Sequence, residues 1–576
     1  MNGWSVDAVW DIECAKWDRF LCGSLWTRDE GLQTFTTADS LADALMSLPA
    51  GSQAWAHAGG KYDVLWLIDH LAQSGTMPRA TVSMSGASAT SVKIKDGPWL
   101  RDSARLVPMS LARAAKIAGP NREKGDPGVA FEDLPDKWVN NRVMRKVLDY
   151  CASDVELLRD ILFAIGDYSE SQGIELRGTI GGTAWATASA WCELDDATWD
   201  AEVYNQVRPM YYGGLCAVGK IEAERIWRYD RKSAYPASLM ELLPMGEPAV
   251  CDGRMARRAF ASGKPGCYDA LVAVPESLVP SLPIRHRNRL AYPYGMVRGT
   301  WAGLELQHAL DCGARIEEIY GGVTWSREEK RLAPYANRCF DLRDNLPDVQ
   351  KKALGIWLKF LANSLTGKLG QSPDSRVVAL GDYSDDPSYE LVGTSPYVWS
   401  RDTWRIPNCA MVHWAGTLTA RARVELHKQV LHAGRDWVYS DTDSCFATRP
   451  LKRRIGEELG EWAFEGEGAD WRAKAPKVYS YRDLAKGEHV AHAKGVPGAK
   501  DGDTIAMDVW ERYTAGEAIR SNRGVKSLLI ASRGDRLFQR RELSRSLHLS
   551  SEWCGARLRD GNVTRAPNVT DLTRLK

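Results

Sequence analysis

Tyr439-Ser440-Asp441-Thr442-Asp443-Ser444 puts two carboxylates two residues apart, at the turn of a hairpin predicted over 437–446. Residues two apart on a strand share a face, so both side chains can be aimed into one cleft. Magnesium takes one or two protein carboxylates plus phosphate oxygens, and a second ion about 4 Å away needs a further carboxylate from elsewhere in the chain. Asp230 can supply it, because it ends a short strand predicted over 226–230 that runs into Ser233-Ala234-Tyr235-Pro236 and a helix over 237–243. A bare Asp-x-Asp is a commonplace solvated turn. The whole hexad arises by chance only roughly a few times in ten thousand chains of this composition.

Around that string lie 576 residues, room for several cores at roughly 150 residues per domain. Seventy-five Lys+Arg against 74 Asp+Glu leave a net charge of +1, so a polyanion must be met by local patches. One such patch is 512–576, with 14 Lys+Arg and 6 Asp+Glu, and it is expected to grip phosphates. Hydrophobic content of 44% and charged content of 26% suit an ordinary globular protein and exclude disordered and membrane classes. No segment reaches the roughly 18 apolar residues of a spanning helix. The N-terminus opens on a strand pattern where a signal peptide would be basic and then apolar, so a cytoplasmic protein is expected, in the host cytoplasm if phage-encoded, with no membrane partner.

The twelve cysteines include no Cys-x-x-Cys pair, which indicates neither a disulfide framework nor a zinc knuckle. They are expected to be reduced and mostly buried. His489 and His492 lack a second ligand pair and read as loop residues.

The first 180 or so residues read as α/β, with strands over 5–13 and 53–57, helical spacing over 41–48, and an apolar helix opened by Lys61-Tyr62-Asp63 after the Gly59-Gly60 break. Apolar residues then recur at three and four over 139–165. A second block starts near Thr183. It carries a Gly/Pro-punctuated region over 264–299 and a helix over 302–312. The stretch 349–369 is predicted as one helix, 371–407 as a polar, turn-rich insertion, and 415–431 as another helix.

The acidic hexad resembles the third polymerase motif of family B DNA polymerases, and Asp230-Arg231-Lys232-Ser233-Ala234-Tyr235-Pro236 resembles the first. Lys359-Phe360-Leu361-Ala362-Asn363-Ser364-Leu365-Thr366-Gly367 is similar to the second, except that Thr366 stands where the family has tyrosine. Lys359, Asn363 and Thr366 fall on one helical face, as do Lys352 and Lys359, so a cation and an amide would meet the incoming nucleotide. Arg343 resembles the arginine used for the triphosphate. In the N-terminal block, Asp11-Ile12-Glu13, Lys61-Tyr62-Asp63 and the Tyr150 and Asp154 pair resemble, in order and spacing, the 3'-5' exonuclease motifs of DnaQ-like domains. Ser103 and Lys124-Gly125-Asp126 resemble subsidiary motifs that contact the single-stranded end. Ala58 departs from that pattern, where an asparagine that holds the primer end is usual. Tyr211-Tyr212-Gly213-Gly214 resembles a linker that coordinates the two activities, and Lys477-Val478-Tyr479 a motif that contacts the primer.

The resemblance is to protein-primed polymerases of phages and linear plasmids, and it implies a multidomain α/β and α+β chain. An RNase H-like exonuclease domain (1–185) would precede a right-hand polymerase: palm (186–260 and 409–504), fingers (335–370) and thumb (505–576), with insertions at 261–334 and 371–408. The first insertion is of the terminal-protein type and the second of the processivity and strand-displacement type. Asp230 and Asp443, with Asp441 beside them, would hold two Mg2+ or Mn2+ ions, and Asp11, Glu13, Asp63 and Asp154 two more, with Tyr150 orienting a water. Tyr235 would gate against ribonucleotides. The implied partners are primer-template DNA, dNTPs and a terminal protein, for a monomeric enzyme. The alternatives are a primer-independent polymerase of the same family, or a nuclease or single-strand-binding protein with an inactive palm.

Overall fold

The computed structural model describes residues 4–16, 19–131, 134, 141–287, 289–456, 458–499, 503–534 and 536–575. Strand alternation sets the N-terminal architecture. Along Ala8–Ala15, Ala8, Trp10 and Ile12 enter one core while Val9 enters another, so Asp11 and Glu13 share the Val9 face. That face is covered by the 32-residue helix Asn141–Gln172, through Val155, Leu158, Ile161 and Ile165. The helix Asp63–Gln73 packs Val64, Leu65 and Ile68 into the opposite core. Ala8–Ala15 pairs antiparallel with Arg19–Thr27 and parallel with Gln53–Ala56. These strands lie toward one end of a ten-stranded sheet, with only Gly31–Phe35 beyond them.

Three sequence expectations change here. The region 371–407 is not a loose polar insertion. Asp374–Leu380 and Val398–Trp404 form an antiparallel hairpin, and Val378–Leu380 pair with Ala80–Val82, extending the N-terminal sheet. Val378, Ala379, Leu380 and Val398 are buried there, and the charged residues around them masked a short strand signal. The helix predicted over 349–369 is broken into Asp348–Lys351 and Leu354–Leu369, with Ala353 at φ −127° and ψ −60°. The break lets Leu346 and Leu354 enter one core, and it takes Lys352 out of the helix that carries Lys359. His489 and His492 lie on the strand His489–Ala493, with His492 against the Tyr479 ring at 4.7 Å.

The second sheet has eight strands, ordered Thr504–Ile505, His489–Ala493, Val478–Asp483, Trp462–Ala475, Glu222–Arg231, Ser444–Ala447, Trp437–Asp441 and Cys216–Val218. The helix Val412–Ala433 runs on from the hairpin region and packs Leu426 and Val430 against this sheet. The expected insertion at 261–334 contains most of a four-stranded sheet with the helix Gly303–Asp311 packed on it. The boundaries expected at 185, 260, 334 and 504 each fall within a helix or strand: Ile180–Cys192, Gly253–Ala261, Ala333–Asp344 and Thr504–Ile505. All twelve cysteines are free thiols, nine of them buried. Among the described residues, no helix is long and apolar enough to cross a membrane.

Two ion pairs join distant segments, the first with both partners buried and the second pairing buried Asp69 with an exposed arginine. Arg423 donates to both Glu305 oxygens at 2.8 and 2.9 Å and to the Tyr212 carbonyl at 2.8 Å, tying the central helix to Gly303–Asp311 and to the Tyr-Tyr-Gly-Gly segment. Asp69 receives Arg536 at 2.6 Å together with the Leu537 and Phe538 N–H groups, which clamps the C-terminal segment onto the first block. Removing one partner of a buried pair strands the other charge. Arg423→Ala should therefore lower stability by about 3–5 kcal/mol, read as a drop in the denaturant midpoint at unchanged slope.

Candidate functional site

The antiparallel ladder places Asp230 opposite Ser444, and the Arg231 N–H donates to the Asp443 carbonyl at 2.7 Å. Asp230 and Asp443 are thereby neighbours, although 213 positions separate them in the chain. Burial first, then the Asp443 and Glu465 carboxylates, push the Asp230 pKa up to about 7, against the pull of Lys359. Asp443 is also raised, by burial and then by Asp441, with Lys359 and Lys477 opposing. Such a pair wants a cation between its members. Asp441 is held differently: its carboxylate accepts from the Lys477 ammonium and from the Tyr439 hydroxyl.

The turn between these carboxylates is strained. Thr442 sits at φ +60°, a left-handed conformation that β-branched residues rarely adopt, and its N–H donates to the Leu215 carbonyl at 2.7 Å. A Cβ at Gly214 would lie 2.7 Å from Thr442 Oγ1, so only glycine lets the Tyr-Tyr-Gly-Gly segment approach the turn this closely. Ser233 (φ +48°) and Lys477 (φ +63°) are left-handed as well. Left-handed backbone thus occurs between Asp441 and Asp443, three residues after Asp230, and at the lysine that holds Asp441.

Arg343, Lys359 and Ser233 line one open pocket with Phe340 and Pro236, so two cations from different helices face the turn after Asp230. Asn363 is half-buried one turn beyond Lys359, and Thr366 is buried with its hydroxyl unpaired. Tyr235 is half-buried, its pKa pushed up to about 12 by burial, then by Tyr211 and Asp443. Tyr211 packs where Gly370 leaves room and carries Arg208 5.1 Å from its ring centroid. Gly213 has open space around it. Tyr479 belongs to an aromatic cluster, with Trp471 at 4.9 Å and Tyr439 at 5.0 Å.

A second centre forms in the first block. Asp11, Glu13 and Asp154 offer carboxylate oxygens within 4.8 Å of one another. Asp63, at the start of its helix, adds its charge to that of Asp11 and Glu13. Asp154 Oδ1 is buried without a hydrogen-bond partner, and an orphaned oxygen among carboxylates is what a cation site leaves when only protein is considered. Burial and then neighbouring carboxylates raise Asp11, and raise Glu13 to about 8; burial is the chief cause that raises Asp63 to about 7. Lys124 donates to Asp154 and lies 4.8 Å from the Tyr150 ring centroid, and burial first raises the Tyr150 hydroxyl to about 12.

Ser103 departs from the expectation that it contacts a single-stranded end. It is fully buried, 3.0 Å from His57 Nδ1 and donating to the Ala56 carbonyl, so it orients His57 instead.

The raised carboxyls fix the sign of a pH effect. Between the ordinary value of 4.5 and about 8, folded Glu13 keeps a proton that the unfolded chain has released, so the metal-free protein loses stability as pH rises through that window. Divalent cations, which need the ionised form, should reverse the trend. Melting curves at about pH 5 and about pH 8, with and without Mg2+, should show the largest metal-induced shift at the higher pH.

No sequence signal marks Glu465, beside Asp230, or the ion-paired Asp69, Glu305 and Arg423. Glu465 lies at a register shift between Phe464 and Gly466, which no periodicity reveals.

The sequence model of the family described as DNA polymerase type B, organellar and viral, matches residues 132–392. A "Probable DNA polymerase" of Neurospora intermedia is 22% identical over 384 residues, covering 61% of this chain and 39% of that protein. One of the same description from Agaricus bitorquis is 21% identical over 346 residues, covering 50% of this chain and 42% of that protein. The chain thus spans about two-fifths of the length of these curated relatives. Among solved structures, Phi29 DNA polymerase in a ternary complex with primer-template DNA and incoming nucleotide substrates superposes at a TM-score of 0.68. Identity is 16%, over 87% of this chain and 94% of that one. The same polymerase with single-stranded DNA also scores 0.68, at 16% identity over 90% of this chain and 97% of that one.

Proposed function

We propose that this chain, a relative of the organellar and viral type B DNA polymerases, adds dNTPs to a primer 3'-hydroxyl on a DNA template and proofreads with a 3'-5' exonuclease. The observation that carries the reading is the apposition of Asp230 and Asp443 below Lys359, on a strained turn. Asp230 and Asp443 would hold two divalent cations, and Asp11, Glu13, Asp63 and Asp154 two more, and such ions supply Lewis-acid stabilisation of attacking and leaving oxygens.

The chain's own groups do the rest. Lys359 and Arg343 neutralise the triphosphate from one pocket, and Asn363 adds an amide from the same helix as Lys359. Tyr235, beside Asp443, lies under the sugar, where a ribose 2'-hydroxyl would collide with its ring. Lys477 holds Asp441 in place and presents Tyr479 toward the primer. In the second centre Tyr150 orients the attacking water, with Lys124 held between it and Asp154. Palm and fingers would be the eight-stranded sheet with the helices Ala333–Asp344 and Leu354–Leu369. The 371–408 hairpin, seated on the exonuclease sheet, and the clamped C-terminal segment would enclose DNA and favour processivity. The region 261–334 is the candidate terminal-protein surface, and protein priming is the proposed mode of initiation.

A primed-template extension assay with matched and mispaired 3' ends tests this. Extension of both, with excision of the mispair first, supports it; excision without any extension would leave the nuclease reading. Template, dNTPs and Mg2+ without primer or terminal protein separate protein priming from primer-independent synthesis.

Ala58 sits at φ +56°, a left-handed conformation that asparagine tolerates better than alanine. Ala58→Asn should raise stability by up to about 1 kcal/mol and tighten binding of single strands. Unchanged single-strand affinity would remove the basis for assigning that loop to the primer end.

A further inference from the structure

The 261–334 region and the central helix meet at a cluster that the proposed chemistry does not use. His308 lies on Gly303–Asp311, Cys312 caps that helix, and His427 projects from Val412–Ala433. Positions 308 and 312 are one turn apart and share a face. His308 Nε2 is 2.8 Å from His427 Nδ1, and Cys312 Sγ is 3.7 Å from His308 Nε2. The three ligand atoms lie within 4.8 Å of one another, with both imidazoles buried and the thiol half-buried.

The tautomer of His427 is fixed by its surroundings. Its Nε2 lies 2.6 Å from the Val279 carbonyl, which only accepts, so Nε2 carries the proton and Nδ1 turns a lone pair toward the cluster. An outer hydrogen bond to a backbone carbonyl is how ligating histidines are oriented in metal proteins. Burial lowers the pKa of both rings, that of His308 to about 4, which keeps them neutral as ligands must be.

We propose that His308, Cys312 and His427 form a zinc site that staples the 261–334 region to the central helix. Tetrahedral Zn2+ with bonds of about 2.0–2.3 Å needs nitrogens about 3.3 Å apart and sulfur about 3.6 Å from nitrogen. The Cys312–His308 spacing of 3.7 Å fits, Cys312 Sγ lies within 4.8 Å of His427, and the rings need to part by about half an ångström. An N2S set suits Zn2+ and not Mg2+, which prefers oxygen. The fourth position, on the half-exposed thiol side, falls to water or to Asp311 next in the chain. On binding, the thiol proton passes to solvent, and the proton that His308 Nε2 shares with His427 leaves that nitrogen for Nδ1 or solvent.

The test uses the full chain, stripped with chelator and kept in excess Mg2+. One equivalent of Co2+ should give the thiolate-to-metal charge-transfer band, which carboxylate sites cannot produce, and Zn2+ should abolish it by displacement. Cys312→Ser should lose the band, bind Zn2+ at least tenfold more weakly, and lose the Zn2+-induced rise in melting temperature seen for the unaltered chain. His427→Gln should weaken Zn2+ binding to a similar degree. Absence of the band in the unaltered chain, or its persistence in Cys312→Ser, would overturn the proposal and leave a hydrogen-bonded histidine pair. Because the first of these needs no variant, a misfolded mutant does not protect the idea.

Discussion

Asp443→Ala should lower dNTP incorporation by on the order of a thousandfold or more, while degradation of single-stranded DNA continues at close to the unaltered rate. The magnitude follows from losing one of the two carboxylates that would hold the reacting ions, a loss of about 4 kcal/mol or more at 1.4 kcal/mol per tenfold in rate. The selectivity follows from the fold. Asp443 lies at a hairpin turn of the eight-stranded sheet, and the Asp11 cluster is built on the ten-stranded one and two helices beside it, with no carboxylate common to both. The substitution also relieves like-charge repulsion on Asp230, so the folded state should not suffer. The Asp230 pKa should fall toward the ordinary carboxylate range as a consequence. Single-nucleotide incorporation on a primed template, run beside a single-strand degradation assay, checks both halves.

Asp11→Ala should do the reverse. Excision of a mispaired 3' end falls by a similar order while extension of a matched primer persists. Asp11 is half-buried among Glu13, Asp63 and Asp154, so its removal withdraws one of four charges that would hold the cations in that centre. Lys124 stays paired with Asp154. Because burial and its neighbours hold Asp11 well above the ordinary value of 3.8, removing it takes away one raised carboxyl, and the variant should lose less stability than the unaltered chain as pH rises above that value. If either alanine variant abolished both activities in a folded protein, the assignment of one chemistry to each sheet would be wrong.

How far the sequence reached depends on where each signal was carried. The acidic strings were legible because short-range order puts Asp11 and Glu13 on one strand and Asp441 and Asp443 at one hairpin turn, where spacing alone implies a shared face or turn. Spacing does not reveal that Asp441, at the end of the strand before the acidic turn, is engaged by Lys477. Ser103 matched a motif and proved to be an interior residue that positions His57. Glu465 was invisible because a bulge, and no periodic pattern, delivers it to Asp230.

By itself the sequence determined the chemistry available: two sets of carboxylates, a lysine-bearing helix, an α/β first block, and helices wherever apolar residues recur at three and four. These are local properties, set by side-chain spacing against a backbone of known period. Only the tertiary structure decided what meets what. It seated the 371–407 hairpin on the N-terminal sheet, broke the helix at Ala353, clamped the C-terminal segment through Asp69, and brought His308, Cys312 and His427 together. Those outcomes come from burying apolar area and pairing charges across long stretches of chain, energies that depend on the whole packed arrangement and leave no periodic mark in any one segment.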